Sequence, residues 1–350
     1  MATDRRIDHA DLEAFARAVL LKAGVSDGAA RVEAQITAEV DLCGVHTHGV
    51  RMLPGTVEKI DDGRLQAAPR IETVAERPAS VLLKTAGGLG RYVSACGMDR
   101  AVGMAQEYGI GAVAIGGLGH WGRAYSYALR AARRGFVGLA FTNTIALFPA
   151  WGTRAPNLGN NPIAIGVPGA GNDEPAVLDL AMTQSSVSRV RMAAAAGEQV
   201  PLGWGLDTDG NPTTDPQAIG DSGRFLPMGG HKGAGLAFMV EMLTSGLAGG
   251  LLCFEQGQLG RPGDSDGGSS KLFVAIRPWD NDLGLRLRHL REHIASAPPD
   301  ESGQGAQWPG QGSFERRLDY LKNGIALPGA LAEELEALSE KQGVPLRWKG

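Results

Sequence analysis

The sequence predicts an α/β fold. Helical amphipathic stretches alternate with short β-branched runs through the middle of the chain. Glycines punctuate the junctions, and 350 residues at 43% hydrophobic content supply a sizeable core. Residues 11–24 and 29–44 read as helices; in the second, Val32, Ile36 and Val40 form one stripe, and Gly44 is a natural stop. The connection that follows, DLCGVHTHGV, carries His46 and His48 one residue apart. Val50, Leu53, Val57 and Ile60 then resume a helical stripe with Pro54 in its first turn, which puts His48 near a helix N-terminus.

Residues 80–84 and 111–115 read as strands flanking a helix over 94–108. A helix over 123–134 ends at Gly135, and 137–142 reads as the next strand. The most apolar stretch, 235–252, is interrupted by Glu241 and several glycines, so it reads as a buried helix rather than a membrane span. Residues 256–270 and 297–313 read as loops, and an amphipathic helix over 328–342 closes the chain. No internal repeat is present.

Composition removes several function classes. With 34 basic and 38 acidic residues interspersed, no basic face exists to neutralise nucleic-acid phosphates. The three cysteines, Cys43, Cys96 and Cys253, are widely spaced and form neither a disulfide framework nor a C-x-x-C pair, which fits a reducing cytoplasm. The N-terminal stretch MATDRRIDHADLEAF carries charges where a signal peptide needs apolar residues. The 51 glycines suit either close backbone approach to a bound cofactor or simply glycine-rich loops.

Three segments carry the chemistry-bearing residues. The first is HTHG, readable as a two-histidine metal site, an acid catalyst or a polar turn; the other histidines complete no ligand motif around it. The second is IGGLGHWGRAYSYALRAARRG, where Gly117-x-Gly119-x-x-Gly122 has dinucleotide-fingerprint spacing. The following strand ends in Phe141-Thr142-Asn143 and lacks the acidic residue a Rossmann site uses for ribose. His120 therefore stands at a glycine-rich turn as either a cofactor neighbour or a structural histidine. The third is LPMGGHKGAGLAFMVEML, in which Gly229, Gly230, His231, Lys232 and Gly233 precede an apolar helix. Backbone N–H groups and an ammonium there can cradle a phosphate, without Walker A spacing.

Taken together, GVHTHGVRMLPGTVEKI, GHWGRAYSYALRAARRG, FTNTIALFPAWGTRAPNLGNNPIAI, LDLAMTQ, WGLDTDGNPTTDP and LPMGGHKGAGLAFMVEML resemble the type-2 malate/L-lactate dehydrogenase-like oxidoreductases, over about residues 11–343. The HW-R, TN-IA, P-WG and LPMG patterns look most like the 2,3-diketo-L-gulonate reductase branch. The resemblance implies a three-layer α/β arrangement around a mixed sheet that binds NAD or NADP without a Rossmann unit, with the balance toward NADH. It also implies a homodimer whose partner completes the active site. A mainly helical substrate-side and dimer part would comprise 1–70 and 300–350, and a cofactor-binding α/β part 71–299.

Carried over residue by residue, the resemblance makes His48 the proton donor and Thr47 its orienting hydroxyl, and leaves His46 structural. His120, Trp121, Gly122, Arg123 and Ala124 would line the nicotinamide side; Asp179, Leu180 and Ala181 would hold ribose and phosphate. His231 and Lys232 fit a phosphate contact, Gly310, Gln311 and Gly312 a cofactor-closing segment, and Asn160 a substrate-facing position, as does His120. The pattern departs in three places. The family's arginine falls on Met52, with Arg51 one step early. LDLAMTQ continues as Ser185-Ser186-Val187-Ser188 rather than FSYG, and the WPGQGS loop carries Gln311 where glutamate is common. Arg51 is then the candidate carboxylate clamp. The expected activity is NAD(P)H-dependent interconversion of a small 2-oxo acid and its 2-hydroxy acid, with no metal. Reduction of a cyclic imine acid such as Δ1-piperideine-2-carboxylate is the alternative within enzymes of this kind, and a metal-dependent hydrolase using His46 and His48 the alternative outside them.

Overall fold

The computed structural model describes residues 3–256, 268–301, 303 and 305–349. After a short strand β1 (Arg5–Ile7) the chain forms α1 (His9–Lys22) and α2 (Asp27–Leu42). Helix α2 has two buried faces. Ala30, Ala34, Ala38 and Leu42 pack with α1 in a helical core, while Ile36 and Val40 face the core beneath the sheet. Gly44 takes φ +73°, the left-handed conformation that suits glycine, and stops the helix where the sequence places the stop. Helix α3 (Leu53–Asp61) follows.

The middle of the chain runs β2 (Glu72–Arg77), β3 (Ser80–Gly88), α4 (Gly90–Tyr108), β4 (Ile110–Leu118), α5 (Tyr125–Ala132) and β5 (Val137–Thr142). It continues through β6 (Ile163–Val167), β7 (Ala176–Leu180), α6 (Val187–Ala196), α7 (Pro216–Ser222), α8 (His231–Glu241) and β8 (Ser269–Ile276). The remaining elements are α9 (Leu283–Ala295), α10 (Gln311–Asn323), β9 (Ile325–Leu327) and α11 (Gly329–Gln342).

One seven-stranded sheet has the order β2-β3-β4-β8-β5-β6-β7. Only β3 and β4 run parallel, joined by the α4 crossover; the other neighbours are antiparallel. The sheet is therefore mixed. Helices α4 and α5 cover one face, and α8 with the π-helical turn Met242–Gly246 packs against the other, giving three layers. A further core around Phe148, Met182, Ile219, Phe225 and Ala237 surrounds α6, α7 and α8. The two ends of the chain meet where β1 pairs antiparallel with β9, and Ile7, Ile325 and Leu327 join the core of α1, α3 and α11.

Four expectations change. Helix α4 begins at Gly90, four residues before the expected start. A Cβ at Gly90 would stand 2.2 Å from the His120 carbonyl oxygen, so this helix begins against the His120 turn at a position only glycine fits. The expected loop over 297–313 ends at Gly310, because Gln311 and Gly312 open α10. The expected loop over 256–270 lies mostly outside the described residues, and its last two residues, Ser269 and Ser270, open β8.

The apolar run 235–252 is not a buried helix. It forms the end of α8 and the π-helical turn, and Leu236, Phe238, Met239 and Leu247 are 45–58% exposed because, among the described residues, nothing covers that face. Glu241, which interrupts the run, is by contrast buried. Its carboxylate accepts hydrogen bonds from the Asn143 and Asn161 carboxamides and from the Cys253 N–H, at 2.8–2.9 Å. Among the described residues no helix is long and apolar enough to cross a membrane.

Candidate active site

HTHG lies in two successive 3-10 turns, His46–His48 and Val50–Met52, that link α2 to α3. Asp41, buried near the end of α2, fixes this link: its carboxylate lies 2.7 Å from His46 Nδ1 and accepts the Val50 N–H at 2.6 Å. A Cβ at Gly49 would come within 2.3 Å of Asp41 Oδ2, so the glycine of HTHG is needed for the close approach of this carboxylate. The two histidines consequently diverge. His46 turns to Asp41 and Tyr320, with ring centroids 6.4 Å apart in the latter pair, whereas His48 is held 2.9 Å from Thr47 Oγ1 through Nδ1 and faces the His120 ring at 5.6 Å.

His120 follows β4. The Gly122 N–H donates to His120 Nδ1 at 3.1 Å, which leaves Nε2 as the protonated nitrogen of the neutral ring. Gly122 itself takes φ +79°. The His120 side chain keeps an exposed face on the cavity described below, and desolvation by the protein packed around the rest of the ring lowers its pKa, with the neighbouring His48 and Arg91 adding to the effect. The pKa of His48 is pushed down to about 4, first by burial and then by Arg123, against an opposing pull from Asp179. The helix N-terminus that the sequence places beside His48 is not its neighbour, because α3 starts only at Leu53, after the second 3-10 turn. Desolvation replaces the helix dipole as the cause.

Two framing residues escape sequence reasoning. Arg91, in the first turn of α4, donates to the His48 carbonyl at 3.0 Å and pairs with Glu33 of α2 at 3.4 Å, both side chains buried. Glu33 also accepts the Tyr92 N–H at 2.8 Å. The available signal was Glu33 itself, a carboxylate on the alanine-rich buried face of α2 between Ala30 and Ala34. Such a carboxylate needs a cation.

Arg123 and Asp179, expected to serve different parts of the cofactor, are joined to each other, Nε to Oδ2 at 2.9 Å. The guanidinium also lies 4.6 Å above the Tyr125 ring, and its Nη1 is buried without a hydrogen-bond partner. Trp121 is core: its ring stacks on Tyr127 at 5.0 Å, and its carbonyl accepts the Tyr127 hydroxyl at 2.5 Å. Ala124 is buried at the start of α5. Thr47, Arg51, Met52, Lys59, Arg91 and His120 border a cavity of about 300 Å³. The exposed Arg51 reaches it from the second 3-10 turn and, among the described residues, makes no hydrogen bond or ion pair.

The remaining expected residues flank β7. Met182 N–H donates to the Asn160 carbonyl and accepts, through its own carbonyl, the Met228 N–H, each at 2.8 Å. This ties Asn160, Leu180 and Ala181 to the turn that carries Gly229, Gly230, His231 and Lys232. Asn160 Oδ1 accepts the Thr144 hydroxyl at 2.8 Å. His231 meets Trp151 edge-on at 5.8 Å, and Lys232 is exposed at the N-terminus of α8. On the other side Gly310, at φ +92°, lies against the Val177 backbone, and the Val177 N–H donates to Pro309 at 3.0 Å. Gly310, Gln311 and Gly312 thus dock on the strand that carries Asp179. Among the described residues no three His, Cys, Asp or Glu side chains gather as a metal site.

Residues 7–336 match the family model described as malate/L-lactate dehydrogenase. The chain belongs to this family. It is 33% identical over 343 residues to a Δ1-pyrroline-2-carboxylate/Δ1-piperideine-2-carboxylate reductase of Pseudomonas putida, covering 97% of each. It is 34% identical over 335 residues to a (2R)-3-sulfolactate dehydrogenase (NADP(+)) of Chromohalobacter salexigens, covering 95% of this chain and 98% of that one. The structure of malate dehydrogenase from Pyrococcus horikoshii superposes with a TM-score of 0.89 at 28% identity, over 99% of each chain. The relatives also include 2,3-diketo-L-gulonate reductases.

A malate/L-lactate dehydrogenase fold must hold an anionic nicotinamide dinucleotide, and the residues present fit one. The Gly229–Gly230 turn opens α8 with both glycines at positive φ and Lys232 beside it, and Gly310 closes onto β7 at a position where a side chain would meet the Val177 backbone. Arg123, bonded to Asp179 of β7, keeps one buried guanidinium nitrogen unpartnered.

Proposed function

We propose that this dehydrogenase interconverts a small 2-oxo acid and its 2-hydroxy acid with NAD or NADP, and that His48 moves the proton. The observation that carries the proposal is the half-buried His48, oriented by Thr47 at 2.9 Å and facing His120, beside a cavity bordered by Arg51, Lys59 and Arg91. When bound, the nicotinamide supplies or accepts the hydride at the substrate's C2. Everything else is done by the chain.

Thr47 fixes the His48 ring through Nδ1, which leaves Nε2 to face the substrate oxygen. With its pKa near 4, His48 is neutral at neutral pH and ready to accept the hydroxyl proton of a 2-hydroxy acid as hydride leaves. In the reducing direction the protonated ring must deliver that proton to the alkoxide oxygen. An incoming carboxylate favours this by adding negative charge beside the imidazolium. Arg51 serves as the carboxylate anchor, and its guanidinium fork suits the planar group. His120, neutral and with Nε2–H free of its Nδ1 bond, acts as a second donor to the substrate oxygen.

Asp179, Leu180 and Ala181, with Gly229, Gly230, His231 and Lys232 on one side and Gly310, Gln311 and Gly312 on the other, form the cofactor groove; Asn160 faces the substrate. Residues 1–70 and 300–350 form the substrate-side part and 71–299 the cofactor part. The exposed apolar face of α8 and its π-helical turn supports a homodimer, since an uncovered patch of this kind marks an interaction surface. The absence of a disulfide framework supports a cytoplasmic setting.

A second reading, reduction of a cyclic imine acid, is favoured by the Pseudomonas putida relative, and His48 can deliver a proton to imine nitrogen as readily as to oxygen. A panel of 2-oxo acids and cyclic imine acids, assayed with both reduced cofactors, separates the two readings. The hydrolase reading requires a third ligand near His46 and His48, and the described residues offer none while Asp41 and Thr47 engage the two rings.

A further inference from the structure

Helix α10 runs for 13 residues, Gln311–Asn323, and buries none of them. A helix without a buried stripe gains little from the hydrophobic effect, so individual contacts set its position. Those contacts gather at one place. Arg317 Nε donates to a Glu39 carboxylate oxygen of α2 at 3.0 Å, and Arg133 of α5 donates to the same oxygen at 2.8 Å. Burial raises the Glu39 pKa, but Arg133 and Arg317 together outweigh it and hold the carboxyl below its ordinary range. Arg316 lies across Gly44, where a Cβ would come within 2.1 Å of its Cδ. One turn further on, the Tyr320 ring stacks on His46 with the planes 17° apart. Glu39 belongs to α2, and Gly44 and His46 to the link that follows it and carries His48.

The opposite end of α10 is the segment Gly310–Gly312. Gly310 precedes the first residue of the helix at φ +92° and lies against the Val177 backbone, and the Pro309 carbonyl accepts the Val177 N–H at 3.0 Å. Gly324, just past the last residue, also takes positive φ, +83°. Glycine at both ends lets the helix turn as a unit, while the helix between them is stiff. Tyr320 stands about 14 Å along the axis from Gln311, at about 1.5 Å per residue. A helix of this length transmits displacement from one end to the other, so the contacts of Arg317 and Tyr320 fix where Gly310–Gly312 sits.

We infer that Arg317 and Tyr320 are positioning residues for the cofactor: by seating α10 on Glu39 and His46 they hold Gly310–Gly312 over the bound nicotinamide dinucleotide and set how fast it leaves. The inference rests on the reading above that this segment closes over the cofactor. It gives His46 a task besides its pairing with Asp41, as the platform for the Tyr320 ring.

The test is the dissociation rate of NADH and of NADPH, read by stopped-flow fluorescence, from the wild type, Arg317→Met, Tyr320→Ala and Tyr320→Phe. Gly310→Ala, strained at φ +92°, disturbs the closing segment directly and serves as its control. Arg317→Met keeps the stem and leaves Glu39 paired with Arg133, so no carboxylate is orphaned. Arg317→Met and Tyr320→Ala should each release the cofactor about three- to tenfold faster, between the worth of an exposed ion pair and that of a hydrogen bond to a charged group. Tyr320→Phe, which keeps the stacked ring, should behave as the wild type. The loss should appear in dissociation and not in the single-turnover rate once cofactor saturates, a split that a general loosening of the fold does not give. Wild-type dissociation in either Arg317→Met or Tyr320→Ala while Gly310→Ala is fast, or a Tyr320→Phe as fast as Tyr320→Ala, overturns the inference and spares the closing segment. Wild-type dissociation in Gly310→Ala as well removes the closing-segment reading and the inference with it. Should the variants fail to fold, hydrogen exchange on the wild type decides: amides of residues 311–323 should exchange more slowly when reduced cofactor saturates, and unchanged exchange overturns the inference.

Discussion

Arg123 and Asp179 hold each other at 2.9 Å, and both act on His48 from opposite sides of the charge balance. The guanidinium disfavours the imidazolium; the carboxylate favours it. The pair therefore sets where the proton-transfer histidine titrates, besides whatever it contributes to binding. Arg123→Met should raise the His48 pKa and move the alkaline decline of kcat/KM for reduction to higher pH, whereas Asp179→Asn should move it to lower pH. The position of the profile, not its height, is the readout, and shifts in the same direction for both variants would contradict the coupling.

His48→Ala and His46→Ala should fail differently. His48→Ala removes the positioned acid and should cost about two to four decades of kcat, with cofactor affinity unchanged. His46→Ala leaves the buried Asp41 carboxylate with the Val50 N–H but without its imidazole, so it should cost about 1–3 kcal/mol of stability and little kcat in the folded fraction. Urea unfolding alongside steady-state kinetics separates the two.

Acid should destabilise the fold in a defined window. His48 titrates near 6.5 when unfolded and near 4 when folded, so between these values the unfolded chain binds more protons, and stability falls as pH drops. The full loss from His48 is on the order of 3 kcal/mol at 1.36 kcal/mol per pKa unit. Urea midpoints from pH 7 to pH 4 should decline, and His48→Gln should flatten the curve. A wild-type curve that is flat over this range would mean that the fold does not hold His48 neutral.

Lys232→Ala should weaken cofactor binding by about 1.5–3 kcal/mol, the range for a hydrogen bond to a charged group, and leave kcat at saturation nearly intact. An unchanged dissociation constant would make the Gly229–Gly230 turn purely structural.

The α8 face makes a separate claim. Phe238→Glu with Met239→Glu places two charges on the exposed apolar surface and should leave the protein monomeric in sedimentation if the proposed homodimer forms through this face. A double variant with the wild-type mass would move the dimer contact elsewhere.

What was legible in the sequence follows from the range of the forces involved. Helix α2 and its Gly44 stop, strand β5 and helix α11 are specified by local periodicity and capping, and all stand within two residues of where those signals put them. Strand β8 was not read at all, although KLFVAI is apolar enough for a central strand, because its place between β4 and β5 depends on pairing across more than a hundred residues. The start of α4 was missed because Gly90 is required by the His120 turn, a tertiary neighbour. At the site, Thr47 and His48 were legible through family motifs, and the structure joins them. Arg91 and Glu33 were not, because each becomes meaningful only against the other. The helix N-terminus expected beside His48 is replaced by two 3-10 turns, and desolvation rather than a helix dipole depresses its pKa.

The central claim is that His48 transfers the proton in a nicotinamide-dependent reduction of a 2-oxo acid, and single-turnover reduction by wild type and His48→Ala under saturating reduced cofactor tests it most directly. The wild type should oxidise the reduced cofactor only when a member of the 2-oxo acid panel is present. His48→Ala should bind the cofactor as tightly and react about two to four decades more slowly. Oxidation by His48→Ala within tenfold of wild type, or a wild type that reduces no member of the panel, would contradict the account.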